Sequence, residues 1–513
     1  MRAADLPLYY NSVEILEHNL AERADKVALY SAARNMTFQE VADEANQVGN
    51  ALKKLDVRIG DVVGILSFDV PEWVTSYFGI LKIGGVALGM NTLLTPAEYD
   101  YILRDCHTRV LIVHPDLLPV IAGIQADQPF LEHIIVIGEA EGAVAYADWI
   151  AAESTECERM NTHRDDYATL NYSSGTTGQP KGILHAHKDL PLTSQLWGVN
   201  VLGLTEDDRT FALAKLFFAF GQGGNLVFPW YAGASTILYP GSPREAQKVL
   251  AAMAQFKPTI IYNAPTGYAM ALAIPDLMER YDLSSIRLCV SAGEALPAPI
   301  WQQWKDRTGL DIIDGIGSTE NYHIFLSNRP GDICPGSSGK PFLGYELMIA
   351  DEDGKEVPQG EIGNLLVKGE TAASAYLHQY EKSQETFRGE WLFTGDKYYV
   401  DEKGYYWHAG RSDDMIKAGG IWVSPMEVES ALISHEAVLE CAVVGKADQS
   451  NLYKPQAFVV LQEGYDPSAE LEQELKEYCR QKMAGYKRPR WVEFVAELPK
   501  TATGKIQRFR LRE

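Results

Sequence analysis

At 513 residues, with 46% hydrophobic and 22% charged positions, the chain has the composition of a globular protein with more than one folding unit. A net charge of −23 argues against general nucleic-acid or anionic-membrane binding, so any anionic ligand needs a local cluster of positive charge. No window reaches the roughly 18 uninterrupted apolar residues of a membrane span. The first residues lack an apolar signal core, and the six cysteines form no C-x-x-C pair, so a reducing, cytoplasmic setting is expected.

The first 150 residues alternate helical and strand patterns. Helical periodicity covers 12–24, a short strand is expected at Val27–Tyr30, and Thr37-Phe-Gln-Glu40 reads as a capping box opening a helix to Leu55. Val62–Leu66, Val110–Val113 and 133–137 are buried-strand patterns, with a helix expected over 71–83. Strands alternating with helices imply a layered α/β body around a mainly parallel sheet. Further strands are expected at 259–262 and 286–290, each running into a turn of small residues where α/β sheets bind ligands. From 344 to 400 the pattern is β-rich, and beyond Val423 a smaller α+β unit is expected, with helices over 425–434 and 468–483.

Tyr172-Ser-Ser-Gly-Thr-Thr-Gly-Gln-Pro-Lys-Gly182 combines hydroxyls, glycines and one lysine, suited to cradling a polyphosphate. It lacks the G-x-x-x-x-G-K-[ST] order of a Walker A loop, and a mobile surface turn explains its composition equally well. Lys215-Leu-Phe-Phe-Ala-Phe-Gly-Gln-Gly-Gly224 is aromatic and then glycine-rich; a chain reversal after Phe220 is expected, making 218–220 one wall of a flat pocket. Glu320 ends a strand-and-turn segment, Gly315-Ile-Gly-Ser-Thr-Glu320, a plausible Mg²⁺ position beside a triphosphate. The tail is basic; a solvated terminus accounts for Arg510 and Arg512, whereas Lys505 stands in a small-residue loop able to thread it into a narrow site.

Together, Tyr172–Gly182, Gly317-Ser-Thr-Glu320, Phe393-Thr-Gly-Asp396, Gly410-Arg-Ser-Asp-Asp-Met-Ile-Lys417 and Pro499-Lys-Thr-Ala-Thr-Gly-Lys505 resemble the adenylate-forming superfamily of acyl-CoA synthetases, adenylation domains and luciferases. They occur in that family's order and spacing across essentially the whole chain. Lys215–Gly221 and His323-Ile-Phe-Leu-Ser-Asn-Arg-Pro-Gly-Asp332 are similar to the benzoate-CoA ligase branch.

The resemblance implies a fold and a reaction. The fold is an N-terminal domain, 1–412, of layered α/β subdomains with a β-rich subdomain, followed by a small mobile α+β domain, 413–513, hinged at Asp413. The reaction joins a small-molecule carboxylic acid to ATP's α-phosphate, releases pyrophosphate, and passes the acyl group to coenzyme A, releasing AMP. It implies that Ser173, Ser174, Gly175, Thr176, Thr177, Gly178 and Lys181 hold the phosphates. Thr319 and Glu320 are catalytic, Glu320 being the Mg²⁺ ligand. Gly293, Glu294, Ala295, Asp314, Gly315, Ile316, Gly317 and Ser318 hold the adenine side, and Asp396 and Arg411 the ribose. Lys505 is the catalytic lysine of adenylation.

Phe218, Ala219, Phe220, Gly317 and His323 would line the acyl pocket. Asp413, Lys417, Gly419 and Gly420 would serve the hinge and the CoA tunnel, with 487–490 as a candidate for CoA's phosphates. Phe220 departs from the tyrosine of many benzoate ligases, and Asn321-Tyr322 replace a more apolar pair. A substituted benzoate, an alicyclic acid such as cyclohexane- or cyclohexenecarboxylate, and loading of a carrier-protein thiol therefore stay open. No nucleic-acid or membrane partner is expected, and a homodimer is left open.

Overall fold

The structure is a computed structural model that describes residues 1–173, 179–411, 414–418, 421–448, 453–485, 487–500 and 506–512, without the side chains of 417, 418, 421 and 422. Among these residues the N-terminal body contains two large sheets. One is a seven-stranded sheet in the order Val144–Ala145, His133–Val136, Val110–Val113, Val62–Leu66, Val86–Gly89, Tyr167–Ser173, Lys181–Ala186. All its pairings are parallel except the last. The other has nine strands: Leu288–Ser291, Ile260–Asn263, Arg209–Ala212 and Ser235–Ile237 run parallel near its centre, and antiparallel pairs close both ends.

Local signals explain much of this. Thr37 accepts the Glu40 N–H while Glu40 reaches back to the Thr37 N–H, starting the helix Phe38–Lys54. Its buried residues Phe38, Val41, Ala45, Val48 and Leu52 recur at helical spacing. That face packs on the helix Pro71–Lys82, where a Cβ on Gly79 would stand 2.7 Å from Val48 Cβ. The expected helix over 12–24 is instead two short pieces, Glu14–Glu17 and Leu20–Arg23. Buried Asn19 lies between them, its amide donating to Ile15 O at 3.0 Å and Trp230 O at 2.9 Å. Side-chain bonding to the backbone there competes with the helix ladder.

The expected reversal after Phe220 is also absent. Ala219–Gln222, Gly223–Val227 and Phe228–Tyr231 form one continuous helical run with a π-helical centre. Its glycines serve close packing: a Cβ on Gly223 would stand 2.7 Å from His323 Cδ2, and one on Gly224 would stand 2.8 Å from the Tyr262 ring.

Residues 345–411 form a five-stranded antiparallel sheet. Beyond Asp414, strands Val438–Ala447, Tyr453–Leu461 and Trp491–Phe494 pack with helices Pro425–Ile433 and Ala469–Lys482 around their own cluster of buried residues. This is the layered α/β body with a β-rich subdomain and a small α+β unit expected from the sequence. Ser412 and Asp413 lie outside the described residues. All six cysteines are free, and no described helix is long and apolar enough to cross a membrane.

Candidate active site

The C-terminal ends of parallel neighbours emerge together: Ala212 pairs with Tyr262, Asn263 with Ser291, and Ser291 with Asp314. The segments 213–220, 292–296 and 318–323 therefore converge over one sheet edge, where ligands of α/β sheets sit. The second sheet joins them there. Gly89 lets Phe217 approach so closely that a Cβ would stand 2.9 Å from Phe217 Cα, and Leu216 N–H donates to buried Asp69 at 3.1 Å.

The strands on either side of the glycine-rich segment pair antiparallel as a hairpin, Ser173 with Lys181 and Tyr172 with Gly182. Ser174, Gly175, Thr176, Thr177 and Gly178 lie outside the described residues. At the hairpin's mouth Lys181 Nζ stands 4.8 Å from the centre of the Tyr376 ring, and Tyr376 donates its hydroxyl to Glu320 Oε1 at 2.7 Å. Burial pushes the Lys181 ammonium below its ordinary range; Glu320 opposes that shift, and Lys382 and Arg411 add to it. Three cations near one carboxylate give the local positive charge that a polyanion would need in an acidic chain. Tyr376 and Lys382 have no sequence signal of their own; the bridge between Ile183 and Tyr376 and the Leu377 N–H, donating to Gly182 O at 2.8 Å, bring their segment to the strand Lys181–Ala186.

The turn bearing Thr319 and Glu320 is braced from both sides. Ser318 Oγ accepts the Asn321 N–H at 3.2 Å, and Ala373 N–H donates to Glu320 O at 2.7 Å. His185, from the hairpin strand Lys181–Ala186, donates Nε2–H to Thr319 O at 2.6 Å and sets Nδ1 3.1 Å from Asp189 Oδ2. Fully buried Tyr322 follows at a φ of +69°, an unusual conformation for a bulky residue. Its hydroxyl donates to Gln222 at 3.1 Å, and buried Asn321 turns back to Ser318. The two polar residues before His323 thus brace the turn.

Glu320 is the carboxylate expected to face Mg²⁺, and among the described residues no group of three acidic, His or Cys residues could hold a metal. One carboxylate fits Mg²⁺, which takes its remaining ligands from phosphate and water.

Asp396 and Arg411 are opposite each other on adjacent strands, with Arg411 Nη1 donating to Asp396 Oδ1 at 3.3 Å. An acceptor beside a donor suits a vicinal diol. Gly293, at a φ of +97°, opens the turn of Glu294 and Ala295 next to the strand Ile312–Gly317, which carries Asp314, Gly315, Ile316 and Gly317. Glu294 Oε1 accepts the N–H of Ile506 at 3.2 Å, tying the residue after Lys505 to this turn. Lys505 itself, with Asp413, Gly419, Gly420 and the Lys417 side chain, lies outside the described residues.

The basic tail is partly spent internally: Arg508 pairs with Glu429 at 2.8 Å, and Arg512 with Asp414 rather than with solvent alone. Lys487 faces both oxygens of Glu427 at 2.8 Å, which weighs against a dedicated phosphate contact there.

Asp314 is buried, with Oδ2 accepting the Leu296 N–H at 3.4 Å; burial pushes its carboxyl up to about 8. An aspartate in an unfolded chain titrates near ~4. The folded state therefore keeps a proton that the unfolded chain gives up across that interval. The stability contributed is complete below about pH 4 and is lost as pH rises through about 8. We expect the denaturant stability of ligand-free protein to fall by about 2 kcal/mol more between pH 6 and 9 than that of Asp314→Asn. Parallel curves for the two proteins would remove this role.

Most of the residues expected at the acyl pocket assemble around His323. Its Nε2 donates to Phe220 O at 3.1 Å, its ring is 5.3 Å from that of Phe220 and 4.6 Å edge-on from Phe228, and a Cβ on Gly317 would stand 2.6 Å from His323 O. Ala219 is buried beside Phe220. Phe218 turns to Phe217 instead, with rings 4.5 Å apart. Burial lowers the His323 imidazole to about 3, so the ring is neutral at physiological pH.

Residues 16–377 match the family model of AMP-binding enzymes, and 427–505 that of the AMP-binding enzyme C-terminal domain. A benzoate–CoA ligase of Thauera aromatica is 46% identical, covering 99% of this chain and 97% of its own length. The crystal structure of the anthranilate CoA ligase AuaEII in complex with anthranoyl-AMP superposes with a TM-score of 0.97 at 65% identity, covering 100% of this chain and 98% of that one. A benzoate CoA ligase from Burkholderia xenovorans LB400 superposes with a TM-score of 0.91 at 40% identity, covering 98% of this chain and 100% of its own.

Proposed function

The chain belongs to the family of AMP-binding enzymes and is an AMP-forming acyl-CoA synthetase using ATP and coenzyme A; from that premise we propose that it activates a small aromatic acid of the benzoate class in the cytoplasm. One observation carries the choice of acid. His323, neutral and buried, lies against Phe220 and Phe228, with glycines 317 and 223 in place of side chains. A flat wall without charge accepts an aromatic ring and disfavours a charged or bulky acyl tail.

In this reading a carboxylate oxygen attacks the α-phosphorus as the bond to pyrophosphate breaks. Both steps gather negative charge, so positioning and electrostatics carry the catalysis. Lys181, with the hairpin tip and its neighbours Lys382 and Arg411, holds the β- and γ-phosphates. Bound Mg²⁺ offsets phosphate charge, and Glu320 would hold it. Asp396 and Arg411 fix the ribose, and the turn Gly293–Ala295 with Asp314–Gly317 borders the adenine. Lys505 faces the acyl carboxylate and α-phosphate. The thiol sulfur of coenzyme A then attacks the acyl carbon, the bond to AMP breaks, and the thiol proton passes to solvent.

The three similar ligases act on benzoate or on anthranilate, which sets the panel: benzoate, hydroxybenzoates, aminobenzoates, cyclohexenecarboxylate and short fatty acids, each assayed for CoA-dependent AMP formation. Turnover of the aromatic acids well above the others is expected. Preferential turnover of the alicyclic or fatty acids would displace the reading, and acyl-adenylate formation without transfer to free CoA would favour a carrier-protein thiol.

A further inference from the structure

His185 is fully buried on the strand Lys181–Ala186, where residues 181, 183 and 185 share a face because successive side chains alternate. Its Nε2 donates to Thr319 O at 2.6 Å, and a second hydrogen bond of 3.1 Å joins Nδ1 to Asp189 Oδ2. That oxygen also accepts the Ala186 N–H at 2.9 Å, and the Tyr322 ring closes edge-on against the imidazole with centroids 5.2 Å apart. Asp189 is 3% exposed, and its other oxygen has no hydrogen-bond partner among the described residues. A buried histidine–aspartate pair gives no clear gain in stability over apolar side chains of the same shape. Nor does the Thr319 carbonyl depend on the imidazole for a partner, because the Tyr322 N–H donates to it at 3.0 Å. Folding alone leaves the pair unexplained.

What the bond to Thr319 fixes is direction. The Thr319 carbonyl and the Glu320 N–H belong to one planar peptide unit, so holding that carbonyl sets the plane from which both residues leave. A separate segment holds the far side of Glu320: Ala373 N–H donates to Glu320 O and the Tyr376 hydroxyl to Glu320 Oε1, each at 2.7 Å. His185 supplies the complementary hold, from the strand that carries Lys181. Resting on the ATP-site reading above, we propose that His185 and Asp189 are positioning residues for adenylation, keeping the Thr319–Glu320 peptide in register with Lys181. Threonine and glutamate then face the α-phosphate and Mg²⁺ while the lysine faces the β- and γ-phosphates. With both its nitrogens engaged by the protein, His185 has none left for substrate. Asp189 keeps the ring aimed, because the oxygen that bonds Nδ1 is itself fastened to the Ala186 N–H.

Two amide variants separate this role from general support. In His185→Gln the side-chain amide reaches the place of Nε2 and donates to Thr319 O, giving up Asp189. In His185→Asn it reaches only the place of Nδ1, keeping Asp189 and giving up Thr319. The assay uses Mg²⁺, ATP and whichever of benzoate and 2-aminobenzoate the wild type turns over faster. In His185→Asn, kcat for pyrophosphate release should fall about 10- to 100-fold, the effect of misplacing a catalytic group by about 1 Å, with little change in KM for ATP. His185→Gln should stay within about 5-fold of wild type. Transfer of a supplied acyl-adenylate to CoA involves neither pyrophosphate nor Mg²⁺ and should be largely kept in both. Equal rates of pyrophosphate release in the two variants, or an equal loss in both half-reactions, would overturn the positioning role while leaving the adenylation reading intact. Failure of the wild type to release pyrophosphate with any acid of the panel would overturn that reading and the role with it. If His185→Asn does not fold, His185→Gln decides alone, and a loss of about 10-fold or more in its pyrophosphate release overturns the role.

Discussion

Replacing Lys505 by alanine is expected to lower acid-dependent pyrophosphate release by about 10²- to 10³-fold, while transfer of a supplied acyl-adenylate to CoA is largely kept. The expected loss is that of removing one preorganised donor from a site where charge develops, about 3–4 kcal/mol. The setting supports a role confined to the first step. Ile506 and Lys500 bridge to each other, Gln507 N–H donates to Pro499 O at 2.8 Å, and Ile506 N–H is fastened to Glu294 beside the proposed adenine turn. The chain entering and leaving 501–505 is thus anchored beside the proposed nucleotide site in this arrangement. Lys505→Arg should restore little, because a planar fork does not replace a compact point charge in a narrow site. Measuring the half-reactions separately decides it: equal loss in both would mean that Lys505 acts on folding or domain placement instead.

Glu320→Gln is expected to lower kcat/KM for Mg²⁺·ATP by about 10²-fold, with part of the loss recovered at high Mg²⁺. Glutamine still accepts the Tyr376 hydroxyl, which glutamate accepts at 2.7 Å, so the turn keeps its shape and only the charge goes. The change also reaches Lys181. Glu320 is the group that holds the buried ammonium up against desolvation, Lys382 and Arg411. Without it, Lys181 should lose its proton at lower pH, moving the alkaline limb of the ATP kcat/KM profile towards neutrality. An unchanged Mg²⁺ dependence together with an unmoved limb would remove both roles from Glu320.

Much of the fold is legible locally. Val27–Tyr30, Val62–Leu66 and Val110–Val113 stand where short apolar runs between polar turns place them, and Thr37 caps its helix as its spacing with Glu40 predicts. Glu320, Asp396 and Arg411 are marked by short motifs for a related reason: the glutamate follows a strand within a few residues, and the other two face each other on adjacent strands. Two misread segments show the limit. In residues 12–24, periodicity alone hides that Asn19 is buried and bonded to Trp230. In 219–227, glycines that resemble a reversal belong to a helix pressed on His323 and Tyr262. A glycine chosen for φ and a glycine chosen for close approach look identical in sequence.

The chain's order of motifs was enough by itself to determine the reaction class, because phosphate, diol and carboxylate chemistry each demand particular residue types in short, continuous segments. Tertiary structure alone decided how those segments cooperate. Tyr376 and Lys382 come beside Lys181 because their segment is fastened to the strand Lys181–Ala186, by the bridge of Tyr376 to Ile183 and by Leu377 N–H donating to Gly182 O at 2.8 Å. His323 becomes a neutral, one-sided acceptor only because Phe220, distant in sequence, takes its other nitrogen while burial excludes the charged form. Burial and the direction of a hydrogen bond belong to neighbours in space, so neither could be read from the residues around His323 in the chain.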